Sequence, residues 1–266
     1  MKKIVLITSN ELRHKFLQSF LNYSKDINLI FCIEEQINEF KHEKISLEQL
    51  KHLKKRERSE IKFFKQSIKR SPKIKNLIKT KKNQINTDTK IQRLIIKEKP
   101  DFIIAFGCSI IKKKVINLFK SKIINIHLGL SPYYKGTGTN FWPFVNNKLQ
   151  LVGVTFMLMD EGIDTGPIIN QLRAKFYKSD DIHMACNRLI KNMSKSLIKI
   201  LLSNKKFQTI EQKTYSKEKI FYRKDFNDEA LIKLKKNFSN GMVPNYLKSK
   251  KKLDKIYPII ENKIYS

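Results

Sequence analysis

The chain is poor in cysteine, glycine, proline and acidic residues, and each shortage removes a class of answer. Its three cysteines, Cys32, Cys108 and Cys186, are far apart, odd in number and form no C-x-x-C pair. They exclude a disulfide frame and a structural zinc site, and they predict a reducing, cytoplasmic setting. Only 8 glycines and 7 prolines stand beside 41% hydrophobic residues, which excludes a disordered chain and leaves enough apolar side chain for a real core. No apolar run approaches the length of a bilayer span, so no membrane partner is expected. The opening MKKIVLITSN has a short apolar run with no small-residue cleavage site after it, and reads as a first strand rather than a signal peptide. No G-x-G-x-x-G follows that strand, so a dinucleotide site has no support.

Acidic residues number 24 against 55 Lys and Arg, for a formal net charge of +31. Such an excess suits nucleic acid or an anionic surface. Here, however, Lys is spread along the whole chain beside Ile and Asn. Arg, the residue expected where phosphates and base edges are gripped bidentately, is scarce. The charge reads as solvated faces, and a nucleic-acid partner is the disfavoured alternative.

A length of 266 residues fits one large domain with a small appendage. KIVLITS and INLIFCI read as β-branched, buried strands around a helix that Ser9 or Asn10 would cap. This β-α-β opening predicts an α/β fold with a mostly parallel central sheet and helices on both faces. Residues 34–82 change character: polar and very basic, with Ile45, Leu47, Leu50, Leu53, Ile61, Phe63, Phe64 and Ile68 at loose helical spacing. They read as a basic helical insertion of one or two amphipathic helices packed beside the sheet. DFIIAFGCS and KIINIH are further strands, LVGVTFMLMD and IINQLRAKF two more, and DDIHMACNRLIKNMSKSLIKILL a long helix started by Asp180 and Asp181. The main domain is therefore expected over 1–204, with a small extension over 205–266 in which EQKTYSKEKIFYRKDFN reads as extended and closing over something.

The chemistry-bearing residues lie at loop junctions. Asn125 and His127 are two apart in a strand and so point the same way, at the strand's carboxyl end, where open α/β sheets place ligands. The loop DEGIDTG follows another strand and is expected to bring Asp160 and Asp164 to the same edge, with Gly162 and Gly166 permitting a tight turn. An amide donates to an oxygen that turns negative as a carbonyl is attacked. An imidazole moves protons or steadies that oxygen. A carboxylate raises the imidazole's pKa and orients it. No Ser or Cys nucleophile belongs to the set, so direct attack by a substrate amine on an activated acyl donor is the natural reaction.

These residues resemble those of the folate-dependent formyltransferase family, which includes glycinamide ribonucleotide and methionyl-tRNA formyltransferases. The family's Asn-x-His-x-x-x-x-Pro signature stands as NIHLGLSP, Asn125 to Pro132, and its Asp-x-Gly-x-Asp-x-Gly loop as DEGIDTG, Asp160 to Gly166. The resemblance runs from about 100 to 202. It implies a Rossmann-like formyltransferase fold and Asn125, His127 and Asp164 as the catalytic trio. It also implies 10-formyltetrahydrofolate as consumed cosubstrate, a primary amine as acceptor and no metal. In the family the turn matching FGCSII binds the pterin partly through backbone groups. Phe106, Gly107, Cys108, Ser109, Ile110 and Ile111, with Asp160, Glu161, Gly162 and Ile163, are thereby expected around the folate. After His127 the chain has Leu-Gly where familiar members carry Pro-Ser or Gly-Ser. The loop YYKGTGTNFWP also differs from the acceptor loops of both named enzymes and is closer to those of sugar N-formyltransferase-like members. It implies a small-molecule acceptor such as an amino sugar nucleotide, held by Tyr133, Tyr134, Lys135, Asn140 and Trp142, with Phe141 beside them. A formyltransferase acting on methionyl-tRNA or glycinamide ribonucleotide is the alternative, and a non-catalytic basic RNA-binding protein on the same scaffold is a third reading.

Overall fold

The computed structural model describes residues 1–36, 45–119, 122–203, 207–212, 219–262 and 265. The β-branched runs form the expected strands: β1 (Lys2–Ser9), β2 (Ile27–Glu35), β3 (Leu77–Thr80), β4 (Phe102–Phe106) and β5 (Ile123–His127). These five are mutually parallel, and β7 (Gly153–Leu158) and β8 (Ile168–Arg173) complete a seven-stranded sheet in the order β3-β2-β1-β4-β5-β7-β8. β7 runs antiparallel to both β5 and β8. A two-residue strand, β6 (Lys135–Gly136), pairs with β9 (Ile220–Phe221) outside the main sheet.

Alternation along the strands splits the core in two. Ile4 and Leu6 of β1 face one side, where helices α1 (Leu12–Tyr23), α2 (Leu47–Arg70) and α6 (Ile182–Leu202) pack. Val5 and Ile7 face the other side, with α3 (Thr89–Glu98) and α4 (Lys113–Phe119). Ile182, Ala185, Leu189, Met193, Leu197 and Leu201 of α6 are all buried, and Asp181 caps that helix by accepting from Met184 N at 2.8 Å. A short helix, α5 (Trp142–Val145), precedes β7, while α7 (Asp228–Ser239) and α8 (Met242–Ile256) follow β9 and add Leu231, Leu234, Met242, Val243 and Tyr246 to the α6 side of the core.

Local expectations met three departures. α1 starts at Leu12 after Glu11, with no side-chain cap, because the Ser9 hydroxyl is taken up by His14 Nδ1 at 2.6 Å. Among the described residues of 34–82 only Leu47–Arg70 is helical: Glu34 and Glu35 finish β2, and Leu77–Thr80 is the edge strand β3; residues 37–44 lie outside the described residues. The buried line of α2 is also narrower than its apolar spacing implied. Phe64 is fully buried, but Leu47 and Ile61 are exposed, and the buried Glu60 is carried there by Arg13 at 3.0 Å. No described helix is long and apolar enough to cross a membrane.

Candidate active site

β5 sets the first two groups. Ile123 faces the α3/α4 side, so Asn125 and His127, two and four residues on, share that side. The third group arrives by a different route from the one expected. Because β7 is antiparallel, with Leu158 opposite Ile124 and Thr155 opposite His127, its carboxyl end lies at the start of β5, not beside His127. The loop after β7 must therefore double back along β5 to deliver Asp164. Asp164 has φ 54°, a left-handed conformation that costs a non-glycine residue about 1 kcal/mol and that turns its side chain into the site.

The three side chains meet. Asp164 Oδ1 accepts from Asn125 Nδ2 at 3.1 Å. Its Oδ2 lies 3.2 Å from His127 Nδ1 and accepts from Gly136 N at 2.9 Å. The other ring nitrogen, Nε2, lies 2.7 Å from the carbonyl oxygen of Tyr134, which can only accept, so Nε2 carries a proton. With a carboxylate on Nδ1, both nitrogens are donors and the ring is an imidazolium. For His127, burial lowers the pKa, but the Asp164 charge, its hydrogen bond and the Tyr134 carbonyl outweigh burial and Lys135, and the net direction is up from 6.5. For Asp164, burial raises the pKa, but His127, Gly136 N and Asn125 together bring it below 3.8. The pair is thus a largely buried ion pair in which the ring donates at both nitrogens and the carboxylate accepts two further hydrogen bonds, the compensation such a pair requires.

Two features of this arrangement have no side-chain signature. The His127 and Asp164 partners on the 133–136 segment are main-chain groups, Tyr134 O and Gly136 N. The ring also needs Gly129, where a Cβ would stand 2.5 Å from His127 Nε2 and 2.8 Å from Thr139 Cβ. Glycine in the loop was the one available clue.

The expected folate segments flank the trio's strand. Phe106 is buried at the end of β4, and Gly107 turns with φ 62°, where a Cβ would meet His14 Nε2 at 2.2 Å. Burial, then Glu35, pushes the Cys108 thiol up to about 12, so it is no nucleophile. Ser109 N donates to the buried Glu35 at 2.7 Å, Ile111 is buried among α3 and α4 side chains, and Ile110 stands 70% exposed. In the other segment Asp160 accepts from Thr165 Oγ1 at 2.8 Å and from Gly162 N at 3.2 Å, Gly162 is exposed, and Ile163 is half-buried. Glu161 meets Lys113, the first residue of α4, at 2.7 Å in an exposed ion pair.

The expected acceptor contacts divide. Tyr133 is half-buried, edge-on to Tyr257 at 5.8 Å. Tyr134, Lys135, Asn140 and Trp142 are buried. The Tyr134 hydroxyl accepts from Asn146 at 3.2 Å, Asn140 Oδ1 from Gly153 N at 2.9 Å, and Trp142 Nε1 donates to Thr137 O at 3.0 Å, so these groups hold the loop itself. Phe141, half-buried, packs edge-on to Trp142 at 5.0 Å. Among the described residues no group of His, Cys, Asp and Glu is arranged to hold a metal.

An open, parallel-rich α/β sheet with a polar constellation at one strand end is the class of fold that binds small ligands there. Residues 33–201 match the formyl transferase family, and the chain belongs to it. A methionyl-tRNA formyltransferase of Prochlorococcus marinus is 30% identical over 185 residues, which cover 61% of this chain and 54% of that protein. One from Clostridium beijerinckii is 45% identical over 73 residues, or 27% of this chain and 23% of that protein. The chain thus spans about half the length, or less, of these relatives. Among solved structures, phosphoribosylglycinamide formyltransferase from Anaplasma phagocytophilum is 18% identical with a TM-score of 0.55, covering 84% of this chain and 98% of that one. A sugar N-formyltransferase from a Shewanella species is 18% identical with a TM-score of 0.53, covering 85% and 78%. At these identities the likeness is one of fold.

Proposed function

We propose that the protein moves a formyl group from 10-formyltetrahydrofolate to a primary amine, with Asn125, His127 and Asp164 as the reacting set. The observation that carries this reading is the meeting of an amide and an imidazolium on one carboxylate, at 3.1 and 3.2 Å, in a member of the formyl transferase family. The fit to a folate rests on these two segments, where the exposed Ile110 and the half-buried Ile163 offer apolar surface beside exposed backbone at Gly107 and Gly162. Residues 106–111 and 160–163 would hold it. The cosubstrate supplies the formyl group, and the chain supplies the electrostatics.

Asn125 spends one Nδ2 hydrogen on Asp164 and has a second to donate to the formyl oxygen as it turns negative. The His127 cation, held charged by Asp164, favours the same charge in a site of low dielectric. Asp164, with a depressed pKa and three donors on it, is an orienting anion rather than a proton acceptor. No side chain needs to form a covalent intermediate: the amine nitrogen bonds the formyl carbon, the bond from that carbon to the folate N10 breaks, and the proton the amine loses ends on N10.

For the acceptor, the 133–142 loop favours a small amine such as that of an amino sugar nucleotide. Its one charged residue, Lys135, is buried, so the loop offers no exposed cation to a phosphate backbone. The second reading, methionyl-tRNA, is favoured by the relatives of that name. The test is transfer from 10-formyltetrahydrofolate by the purified chain to amino sugar nucleotides, glycinamide ribonucleotide and charged methionyl-tRNA, read by mass spectrometry of the products. Formylation of a sugar nucleotide is expected. Formylation of charged tRNA alone supports the second reading, and formylation of none of the amines overturns the proposal.

A further inference from the structure

The chain that follows α6 reaches back to the trio at two points. At the first, Gln212 Nε2 lies 3.0 Å from the carbonyl oxygen of Asp164 and 2.8 Å from that of Gly166. Two carbonyl acceptors fix the amide's orientation, since the reverse would set oxygen against oxygen. The two bonds span the turn in which Asp164 holds its left-handed conformation, and Gly166 is pressed so closely on β7 that a Cβ there would lie 1.8 Å from Leu158 O.

At the second point, β9 lies along β6. Thr137 N donates to Phe221 O at 2.7 Å, and Gly136, with φ 92°, passes so near that a Cβ would stand 2.2 Å from the same oxygen. The Phe221 ring is buried in stacked contact with Trp142, at 4.7 Å and 16°, and with Tyr134, at 5.6 Å and 18°. Tyr134 and Gly136 are the residues whose main-chain groups hold His127 and Asp164.

We infer that Gln212 and Phe221 are positioning residues for the ion pair: one clamps the turn that presents Asp164, the other the strip that supplies Tyr134 O and Gly136 N. Their contacts are with the carbonyl oxygens of Asp164 and Gly166 and with the strip from Tyr134 to Trp142, so both act through main chain. The inference rests on the reading of the trio as the reacting set. Its physical basis is that groups in a reacting constellation tolerate little displacement, with a shift near 1 Å worth up to about 100-fold in rate. Asp164 is poorly placed to hold itself, because its backbone conformation is one that a released turn would leave.

The test combines two readouts on the full chain. Gln212→Met keeps length and removes the donor; Phe221→Leu removes the stacked ring, and Phe221→Tyr retains it. In the formyl-transfer assay Gln212→Met and Phe221→Leu are expected to lower kcat by about 10- to 100-fold with KM for both substrates within about threefold, and Phe221→Tyr to restore most of it. Independently of any activity, the His127 imidazole is titrated by NMR, with Asp164 and Lys135 the charged groups acting on it. Its midpoint is expected to move down in Gln212→Met and Phe221→Leu, as Asp164 drifts from Nδ1, and to stay at the wild-type value in Phe221→Tyr. A purely structural role would lower thermal stability while leaving that midpoint and kcat unchanged at a temperature well below unfolding, and this outcome overturns the inference. Because the titration needs no substrate, a wild-type chain that transfers no formyl group sinks the functional reading while the displaced midpoint still tests the clamp.

Discussion

Replacing Asp164 by Asn puts the electrostatic argument at its greatest risk. The carboxylate accepts from three donors: Asn125 Nδ2 at 3.1 Å, Gly136 N at 2.9 Å and His127 Nδ1 at 3.2 Å. An amide has one oxygen to share among them and brings an NH2 that must face at least one donor. Hydrogen bonds to a charged group contribute about 1.5–3 kcal/mol each. Losing one or two in the transition state implies roughly 1.5–6 kcal/mol, or about 10- to 10⁴-fold in kcat/KM. The pKa of His127 should reverse its direction. With the Asp164 charge gone, burial and Lys135 pull it down against the Tyr134 carbonyl alone, and it is expected below 6.5 instead of above. Stability follows the same linkage. The raised His127 contributes fully below 6.5 and loses that contribution as pH rises through its folded value. The lowered Asp164 contributes fully above 3.8 and loses that contribution as pH falls through its folded value. The wild-type advantage over Asp164→Asn is therefore greatest between pH 3.8 and 6.5 and shrinks on either side. Steady-state kinetics, NMR titration of His127 and urea melts across pH measure all three. A variant with kcat/KM within threefold of wild type, or a His127 midpoint still above 6.5, refutes the reasoning.

Gly129→Ala places a methyl 2.5 Å from His127 Nε2, and overpacking of this kind costs about 1–3 kcal/mol; a lowered urea midpoint with lowered kcat is expected, and no change in either contradicts the close approach. Trp142→Phe should reduce stability by about 1–3 kcal/mol, through the lost Thr137 bond and the altered stack on Phe221, with the acceptor KM within twofold. A raised KM at unchanged stability would put that ring on the acceptor instead. His52 and His183, with rings 4.8 Å apart, are held down to about 3 and about 4, chiefly by burial. The unfolded chain takes up protons that these neutral rings refuse, so melting temperature should fall as pH drops from 6.5 toward 4, and His183→Phe should flatten that fall; an unchanged slope contradicts the assignment.

The parallel strands were legible because Ile4 to Ile7, Ile103 to Phe106 and Ile123 to Ile126 are runs whose two faces are both buried, which is what parallel strands under helices require. Asn125 and His127 were legible for the same reason: polar residues two apart break such a run on one side only. Asp164 was found by its loop, but the path that delivers it was not, since strand direction is set by partners and β7 carries the same apolar pattern whichever way it runs. β3 was hidden because an edge strand of four residues in a Lys-rich stretch buries too little to show alternation. The packing of Trp142 and Tyr134 on Phe221, about 80 to 90 residues further along, is a pairing that local pattern cannot carry. The main-chain groups on His127 and Asp164 leave no mark on side-chain identity at all.

The trio's role is tested most directly by Asn125→Ala in single-turnover transfer from 10-formyltetrahydrofolate to whichever amine the wild-type chain formylates. Removing one donor to a developing oxyanion lowers the rate by about 100- to 1000-fold. A loss of that size in the chemical step, with both substrates bound as in wild type, is the expected result. A rate within threefold of wild type would contradict the account.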